Sequence, residues 1–266
     1  MKIELKYFSG TGNSWKILDT CKDVFIENHH KASISPIKAN EQLPSDADLI
    51  GFCFPVYAFG IPRICRRYLK LIKKFDKLQD VFVIITAGKQ DEAGFSVEQC
   101  VKILIKKNCR INYSAVVEMP INWTTYINPP SKEEALAIID NGVNQAREIG
   151  NDILKGIHKY HSFVIPSNYG RWGLYKEFYL FKYLGLQNMW RTFNVYDNCN
   201  GCGICEKNCP TSSVTIANKQ PRWSSSCEQC MRCVNFCPKE AIYQSMGGGT
   251  SGRNRYHEPD FKPQKK

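Results

Sequence analysis

Cys199, Cys202, Cys205 and Cys209 are spaced C-x2-C-x2-C-x3-C, and Pro210 follows the last of them. The same pattern returns 28 residues later as Cys227, Cys230, Cys233 and Cys237, again followed by a proline, Pro238. Three cysteines with two residues between neighbours let one turning loop aim three thiolates at one face of an iron–sulfur cubane. The fourth ligand must come from elsewhere. Each proline bends the chain away from its own loop, so the cysteine before it serves the other cluster. The spacing therefore predicts two 4Fe–4S clusters, one on Cys199, Cys202, Cys205 and Cys237, the other on Cys227, Cys230, Cys233 and Cys209. A pair of zinc sites is the competing chemistry, but tetrahedral zinc sites normally come as C-x2-C pairs separated by a longer span. Gly201 and Gly203 suit the tight first loop, either as plain turn glycines or by letting N–H groups face sulfur. After each proline comes a short apolar stretch, Ser213-Val214-Thr215 and Ala241-Ile242-Tyr243, which marks a duplicated half-domain.

A second constellation lies at the other end of the chain. Ser9, Gly10, Thr11, Gly12, Asn13 and Ser14 follow the first strand-like segment and open the first helix-like one. Glycines permit close backbone approach, the hydroxyls of Ser9, Thr11 and Ser14 donate hydrogen bonds, and a helix N-terminus adds its positive end. Together these make an anion cradle. The loop is not G-x-G-x-x-G and lacks the Lys-Ser/Thr of a P-loop, which disfavours dinucleotides and nucleoside triphosphates. A Gly/Ser turn before a helix can also be a structural cap, so the neighbouring loops matter. Pro55, Val56, Tyr57, Ala58, Phe59 and Gly60 follow a later strand, and Thr86, Ala87 and Gly88 follow the next.

Strands and helices must place these loops together. Strand-like segments at 2–8, 33–37, 47–54, 81–87 and 111–118 alternate with helix-like ones at 13–27, 61–75, 97–107 and 131–154. Ser131 with Glu133 and Glu134 behind it supplies a cap and acids for the last. Such alternation predicts an α/β doubly wound parallel sheet covered on both faces. In such sheets ligands sit outside the carboxyl ends of strands at the switch point, where the three loops would lie. The expected organisation is a nucleotide-binding domain at 1–157, an aromatic-rich helical connector at 158–194, a two-cluster domain at 195–246 and a basic tail at 247–266. The connector carries Trp172, Tyr175, Phe178, Tyr179, Phe181, Tyr183 and Trp190, and its lack of Gly/Ser flexibility predicts packing on both domains.

Two resemblances sharpen the reading. Residues 195–244 resemble the bacterial two-cluster ferredoxins, which implies low-potential one-electron transfer, about −400 mV for ferredoxin-type centres. Ser-Gly-Thr-Gly-Asn-Ser at 9–14 resembles the FMN phosphate loop of flavodoxins. That resemblance implies a flavodoxin-like strand order of 2-1-3-4-5. It also implies flavin-ring walls from Tyr57, Ala58, Phe59, Gly60, Thr86, Ala87 and Gly88, although Tyr57 and Phe59 could equally serve packing. The fusion order and the ending Gly252-Arg253-Asn254-Arg255-Tyr256-His257-Glu258-Pro259 resemble the flavodoxin–ferredoxin fusions called the EFR1 family. Two features depart from plain flavodoxins. They are typically acidic and this chain is basic, and the loop from Met119 to Tyr126 is longer. That loop would either lid the flavin with Trp123 or Tyr126 or pack against the connector.

The implied function is electron transfer between FMN, two 4Fe–4S clusters and a redox partner protein; reduction of a small molecule at the flavin is the alternative. No His/Asp/Glu constellation near the three loops supports proton transfer, so no catalytic residue is named. A regulatory cluster sensor is a third class, disfavoured by the full set of flavin loops and by the lack of a DNA-binding helix pair. The formal charge is +11. Eight thiolates and two oxidised cluster cores would bring it to roughly +7, and a flavin phosphate to roughly +5. That balance fits a solvated lysine surface first, and next a protein that docks an acidic partner, which steering by net charge would favour; no basic-aromatic stripe points to nucleic acid. No apolar run approaches the roughly 18 residues of a membrane span, and the N-terminal residues lack a secretory layout, so a cytoplasmic protein is expected. Cysteines 21, 53, 65, 100 and 109 are expected to be small buried residues. The tail is expected to fold back, with Arg253 and Arg255 on acidic surface or the phosphate loop and Tyr256 in an apolar groove.

Overall fold

The structure is a computed structural model that describes residues 1–38, 41–161, 170–180, 188–246 and 252–263, with single positions at 163, 165, 185 and 250. Phe181 and Tyr183 of the expected connector, and glycines 247–249 of the tail, lie outside the described residues. The chain divides into two compact units. One comprises Met1–Ser9, Asn13–Met119 and Ala137–Phe178; the other comprises Gly10–Gly12, Pro120–Leu136 and Tyr179–Lys266.

In the first unit β1 (Lys2–Tyr7), β2 (Lys31–Pro36), β3 (Leu49–Pro55), β4 (Gln79–Ala87) and β5 (Cys109–Glu118) form one parallel sheet in the order β2-β1-β3-β4-β5. This is the flavodoxin-like doubly wound order, with its switch point between β1 and β3. The central strands β3 and β4 are buried along nearly their whole length, as the unbroken apolar sequences LIGFCF and VFVIIT demand of strands covered on both faces. Helix α1 (Asn13–Glu27) buries Ile17, Leu18, Cys21, Val24 and Phe25, a stripe at helical spacing. Helix α3 (Ser96–Ile105) packs on β4 and β5, and α2 (Arg63–Leu71) packs on α3. Helix α4 (Lys132–Leu154) begins with a reciprocal cap: Glu134 N–H donates to Ser131 Oγ at 3.2 Å, and Ser131 N–H to Glu134 Oε2 at 2.8 Å. The five scattered cysteines are all buried.

The aromatic segment is less uniformly buried than its composition predicts. Along α5 (Arg171–Leu180), Phe178 joins Phe95 in an aromatic cluster, but Trp172 is 88% exposed and Tyr179 49%.

In the second unit, β6 (Phe193–Val195) pairs antiparallel with β9 (Ile242–Gln244), and β7 (Val214–Ala217) with β8 (Gln220–Trp223). One short helix follows each cysteine triad's turn, α6 (Ile204–Asn208) and α7 (Arg232–Asn235). Phe193, Met231, Val234 and Ile242 make the small core, with Trp123, Trp190 and Trp223 against it. The sequence repeat is also a backbone repeat. Gly201 and Gln229, Gly203 and Met231, and Ser212 and Glu240 are all left-handed, each pair 28 residues apart. Glycine adopts that conformation freely, whereas Gln229 and Met231 do so at a cost of about 1–2 kcal/mol each. The repeated loop geometry outweighs local preference.

Candidate cluster and nucleotide sites

Strand pairing in the second unit explains which cysteines meet. The β7–β8 hairpin returns the chain so that Cys209, just before β7, lies beside Cys227, just after β8. Likewise β6 and β9 pair, so Cys199 after β6 meets Cys237 before β9. A cavity with about 360 Å³ of atom-free space, partly open to solvent, is lined by Cys199, Cys202, Cys205 and Cys237. Cys209 lies close enough to Cys227, Cys230 and Cys233 to interact electrostatically with each. Each run thus contributes three cysteines to one group and one to the other. Among the described residues no three His, Cys, Asp or Glu side chains converge on a single metal ion. The thiolates of a cubane bind four different irons.

Donors reach these sulfurs in matched positions. Ser213 N–H donates to Cys209 Sγ at 3.3 Å, and Ala241 N–H, 28 residues on, to Cys237 Sγ at 3.4 Å. The hydroxyls of Ser213 and Thr211 lie 3.4 and 3.7 Å from Cys209 Sγ, and Gln229 Nε2 donates to Cys227 Sγ at 3.6 Å. Burial pushes the Cys209 thiol up, but the Ser213 and Thr211 bonds outweigh it and hold it below the usual thiol value. Burial raises Cys205 and Cys230 to about 12 and Cys227 to about 11. Such thiols ionise only when a cation replaces their proton, as cluster iron would. Cys202 is exposed, while Cys209 and Cys227 are buried. The donor set and cavity fit iron–sulfur cubanes.

The nucleotide-loop residues are tightly held. Ser9, Thr11 and Ser14 are at most 3% exposed. In the first unit, Ser14 Oγ and Thr86 Oγ1 share a hydrogen bond of 2.7 Å, which consumes one of their two protons and leaves one to donate. Val56 N–H donates to Thr86 O at 3.0 Å, and Pro55 pairs with Thr86 in the sheet. Residues Tyr57 to Gly60 close a tight turn, with Tyr57 and Gly60 exchanging backbone bonds of 2.7 and 3.2 Å. Ala58 and Phe59 at its centre have φ of 48° and 62°, a strain that L-residues accept where surroundings impose it. Phe59 packs on the Phe95–Phe178 cluster, and Tyr57 meets the Phe8 ring edge-on at 6.4 Å. Ala87 O accepts from Met119 N–H at 2.8 Å, next to Gly88.

In the second unit Gly10–Gly12 meet partners that sequence reasoning missed. Arg232, which lies between Cys230 and Cys233, donates from Nε to Gly10 O at 2.8 Å and from Nη1 to Asn208 O at 2.9 Å. Asn122 Nδ2 donates to Thr11 Oγ1 at 2.8 Å, so Thr11 keeps its own proton for an anion. Glu258 N–H donates to Thr11 O at 2.8 Å. Gly12, with φ of 113°, lies so near the tail that a Cβ there would come within 2.5 Å of Glu258 Cβ and 2.6 Å of Phe261 Cβ. The loop from 120 to 131 packs here too: Trp123 adjoins the small core, and Asn235 Nδ2 donates to Asn122 O at 3.1 Å. The remaining protons and hydroxyls of the loop suit a phosphate.

The tail is folded, as expected, but its contacts differ in detail. Arg253 donates to the carbonyls of Thr124 and Thr125, and Arg255 Nε lies 4.0 Å from the Glu240 carboxylate. Tyr256 is buried, with its N–H on Asn235 Oδ1. The phosphate-loop contact falls to Glu258 and Phe261. A single sequence gives no signal for such pairings, because they join polar residues far apart in the chain.

The family model of the 4Fe–4S dicluster domain matches residues 198–242, which include all eight clustered cysteines. Similar solved structures include a short-chain flavodoxin associated with a non-canonical PDU bacterial microcompartment, at 14% identity over 59% of this chain and 99% of that one (TM-score 0.42). Flavodoxin 2 from Bacillus cereus is 17% identical over 56% and 99% (TM-score 0.38). An NAD(P)H:quinone oxidoreductase from Methanothermobacter marburgensis is 11% identical over 57% and 98% (TM-score 0.39). No curated protein matches in sequence. Among the described residues no helix is long and apolar enough to cross a membrane. The chain joins a flavodoxin-like doubly wound fold to a 4Fe–4S domain.

Proposed function

We propose that this chain is an electron-transfer iron–sulfur flavoprotein that exchanges electrons with an acidic redox partner protein in the cytoplasm, and that it is a member of the EFR1 family. One cluster would be held by Cys199, Cys202, Cys205 and Cys237, the other by Cys227, Cys230, Cys233 and Cys209. FMN would be held at its phosphate by residues 9–14, and at its ring by the loops 55–60 and 86–88. When bound, FMN supplies one- and two-electron chemistry and the clusters supply single-electron steps. The chain's own residues bind and insulate. N–H and hydroxyl groups of Ser213, the hydroxyl of Thr211 and the N–H of Ala241 donate to ligand sulfur, while Thr11 would offer a proton to phosphate, as would Ser14 when Thr86 is the donor of their shared bond. Exposed Cys202 gives a protein partner an edge to approach.

The observation that carries the reading is the cavity whose lining unites Cys199, Cys202 and Cys205 with Cys237 from the second run. Anaerobic purification followed by iron, sulfide and flavin analysis tests it. About eight iron, eight sulfide and one FMN per chain, with absorbance bleached by dithionite, are expected for two cysteine-bound cubanes and a flavin. Zinc in place of iron, or FAD or no flavin in place of FMN, would defeat it.

A further inference from the structure

Arg255 of the tail is a cation in an unusual place. Its side chain is 9% exposed. Nη2 lies 3.5 Å from Glu240 O, 3.4 Å from Ile242 O and 3.3 Å from Thr250 Oγ1. Nε and Nη1 are buried with no hydrogen-bond partner among the described residues. The nearest carboxylate, Glu240, is 4.0 Å from Nε and itself 67% exposed, too solvated to offset the burial of a guanidinium. A buried cation left so poorly paired costs stability, which calls for a further negative charge nearby.

The local backbone identifies where that charge would be. Glu240 C=O and Ala241 N–H belong to one peptide group. Its oxygen faces Arg255 Nη2, and its N–H donates to Cys237 Sγ at 3.4 Å. A cation on the oxygen side polarises the peptide and strengthens the N–H bond to sulfur. In the equivalent half, Ser213 N–H makes the same bond to Cys209 Sγ, but the added donors there are the neutral hydroxyls of Ser213 and Thr211. The repeat is therefore broken by charge at this position. Burial pushes the Arg255 pKa down, and the charges of Glu240, Cys237 and Tyr196 oppose that.

We propose that Arg255 is a potential-setting residue for the cluster held by Cys199, Cys202, Cys205 and Cys237, an inference that rests on the cluster assignment above. Reduction by an external one-electron donor adds one negative charge beside Arg255 and makes or breaks no bond. A fixed positive charge in a low-dielectric site favours that reduced form and raises the midpoint potential.

The test is an anaerobic redox titration of the full-length native chain, Arg255→Gln and Arg255→Lys. Reduced clusters are followed by electron paramagnetic resonance, with iron and sulfide measured on every sample. In Arg255→Gln one of two midpoints is expected to fall by a tenfold change in the one-electron equilibrium constant, about 59 mV, while the other holds. Arg255→Lys keeps the charge and is expected to keep the native midpoint. Unchanged midpoints in Arg255→Gln at undiminished iron overturn the proposal, as does a lysine variant that falls as far as the glutamine one. Where the glutamine variant loses iron, the lysine midpoint decides: native supports the proposal, lowered overturns it. A native chain without iron would strike the cluster assignment itself, whereas two native clusters with an unmoved variant strike Arg255 alone.

Discussion

At the scale of residues, the nucleotide loop concentrates its chemistry in a few hydroxyls. Thr11 keeps its own proton for an anion, Ser14 keeps one when Thr86 is the donor of their shared bond, and a hydrogen bond to a charged group is worth about 1.5–3 kcal/mol. The double substitution Thr11→Ala and Ser14→Ala should therefore weaken FMN binding by roughly two to four decades, with iron content intact; flavin titration of the purified chain checks it. Undiminished flavin affinity would move the phosphate away from residues 9–14. Gly12 offers a separate check, because its positive φ and the 2.5 Å approach to Glu258 leave no room for a methyl group. Gly12→Ala should lower thermal stability by about 1–3 kcal/mol or more, through strain and overpacking. The grouping of the eight cysteines into two sets and the position of Ser-Gly-Thr-Gly-Asn-Ser between β1 and α1 are legible in the sequence from spacing alone. Asn122, Arg232 and Glu258 are not, because their roles arise only when distant segments meet.

Among elements, the sheet was legible down to its order. Strands β3 and β4 advertise their double burial in continuous apolar runs, and α1 in its stripe. Boundaries shifted. The second helix, expected over 61–75, spans only Arg63–Leu71, and the chain leaves it at Ile72, whose backbone is extended and whose side chain is buried. The two possible roles of the loop after β5 were left open by its sequence; the structure packs Trp123 on the small core. The tail is the element with the most to lose. Glu258 and Phe261 cover Gly10–Gly12, and Arg253 holds the carbonyls of Thr124 and Thr125. A chain ending at Gly252 should show faster limited proteolysis in residues 120–130 and weaker FMN binding. Identical cleavage and flavin affinity would reduce the tail to an appendage.

For the whole molecule, duplication and fusion do the work that neither domain could do alone. Two copies of one loop–helix–strand unit exchange strands, and that exchange is what carries the fourth cysteine of each run to the other's triad. The prolines bend the chain away from each loop, but the strand pairing is the larger cause of the crossing. The positive balance of 36 Lys and Arg over 25 Asp and Glu would survive the charge of two clusters and a flavin phosphate. Association with an acidic partner protein should consequently slow by tenfold or more as ionic strength rises past the point where the Debye length falls below about 10 Å. Stopped-flow reduction at several salt concentrations reads this directly, and a salt-independent rate would argue for an apolar docking face.

The crossing of ligands is the claim on which the account turns, and paired substitutions measure it most directly. Cys237→Ala and Cys209→Ala are purified anaerobically, and each is examined for iron, sulfide and the spectrum of the surviving cluster. Each chain should keep about four of its eight irons, the first retaining the cluster of Cys227, Cys230 and Cys233 and the second that of Cys199, Cys202 and Cys205. A further Cys202→Ala change identifies the survivor: added to Cys209→Ala it should abolish the remaining cluster, and added to Cys237→Ala it should leave the remaining cluster untouched. The opposite pattern, with Cys202→Ala abolishing the cluster left by Cys237→Ala and sparing the one left by Cys209→Ala, would mean that each run holds its own cluster and would contradict the account.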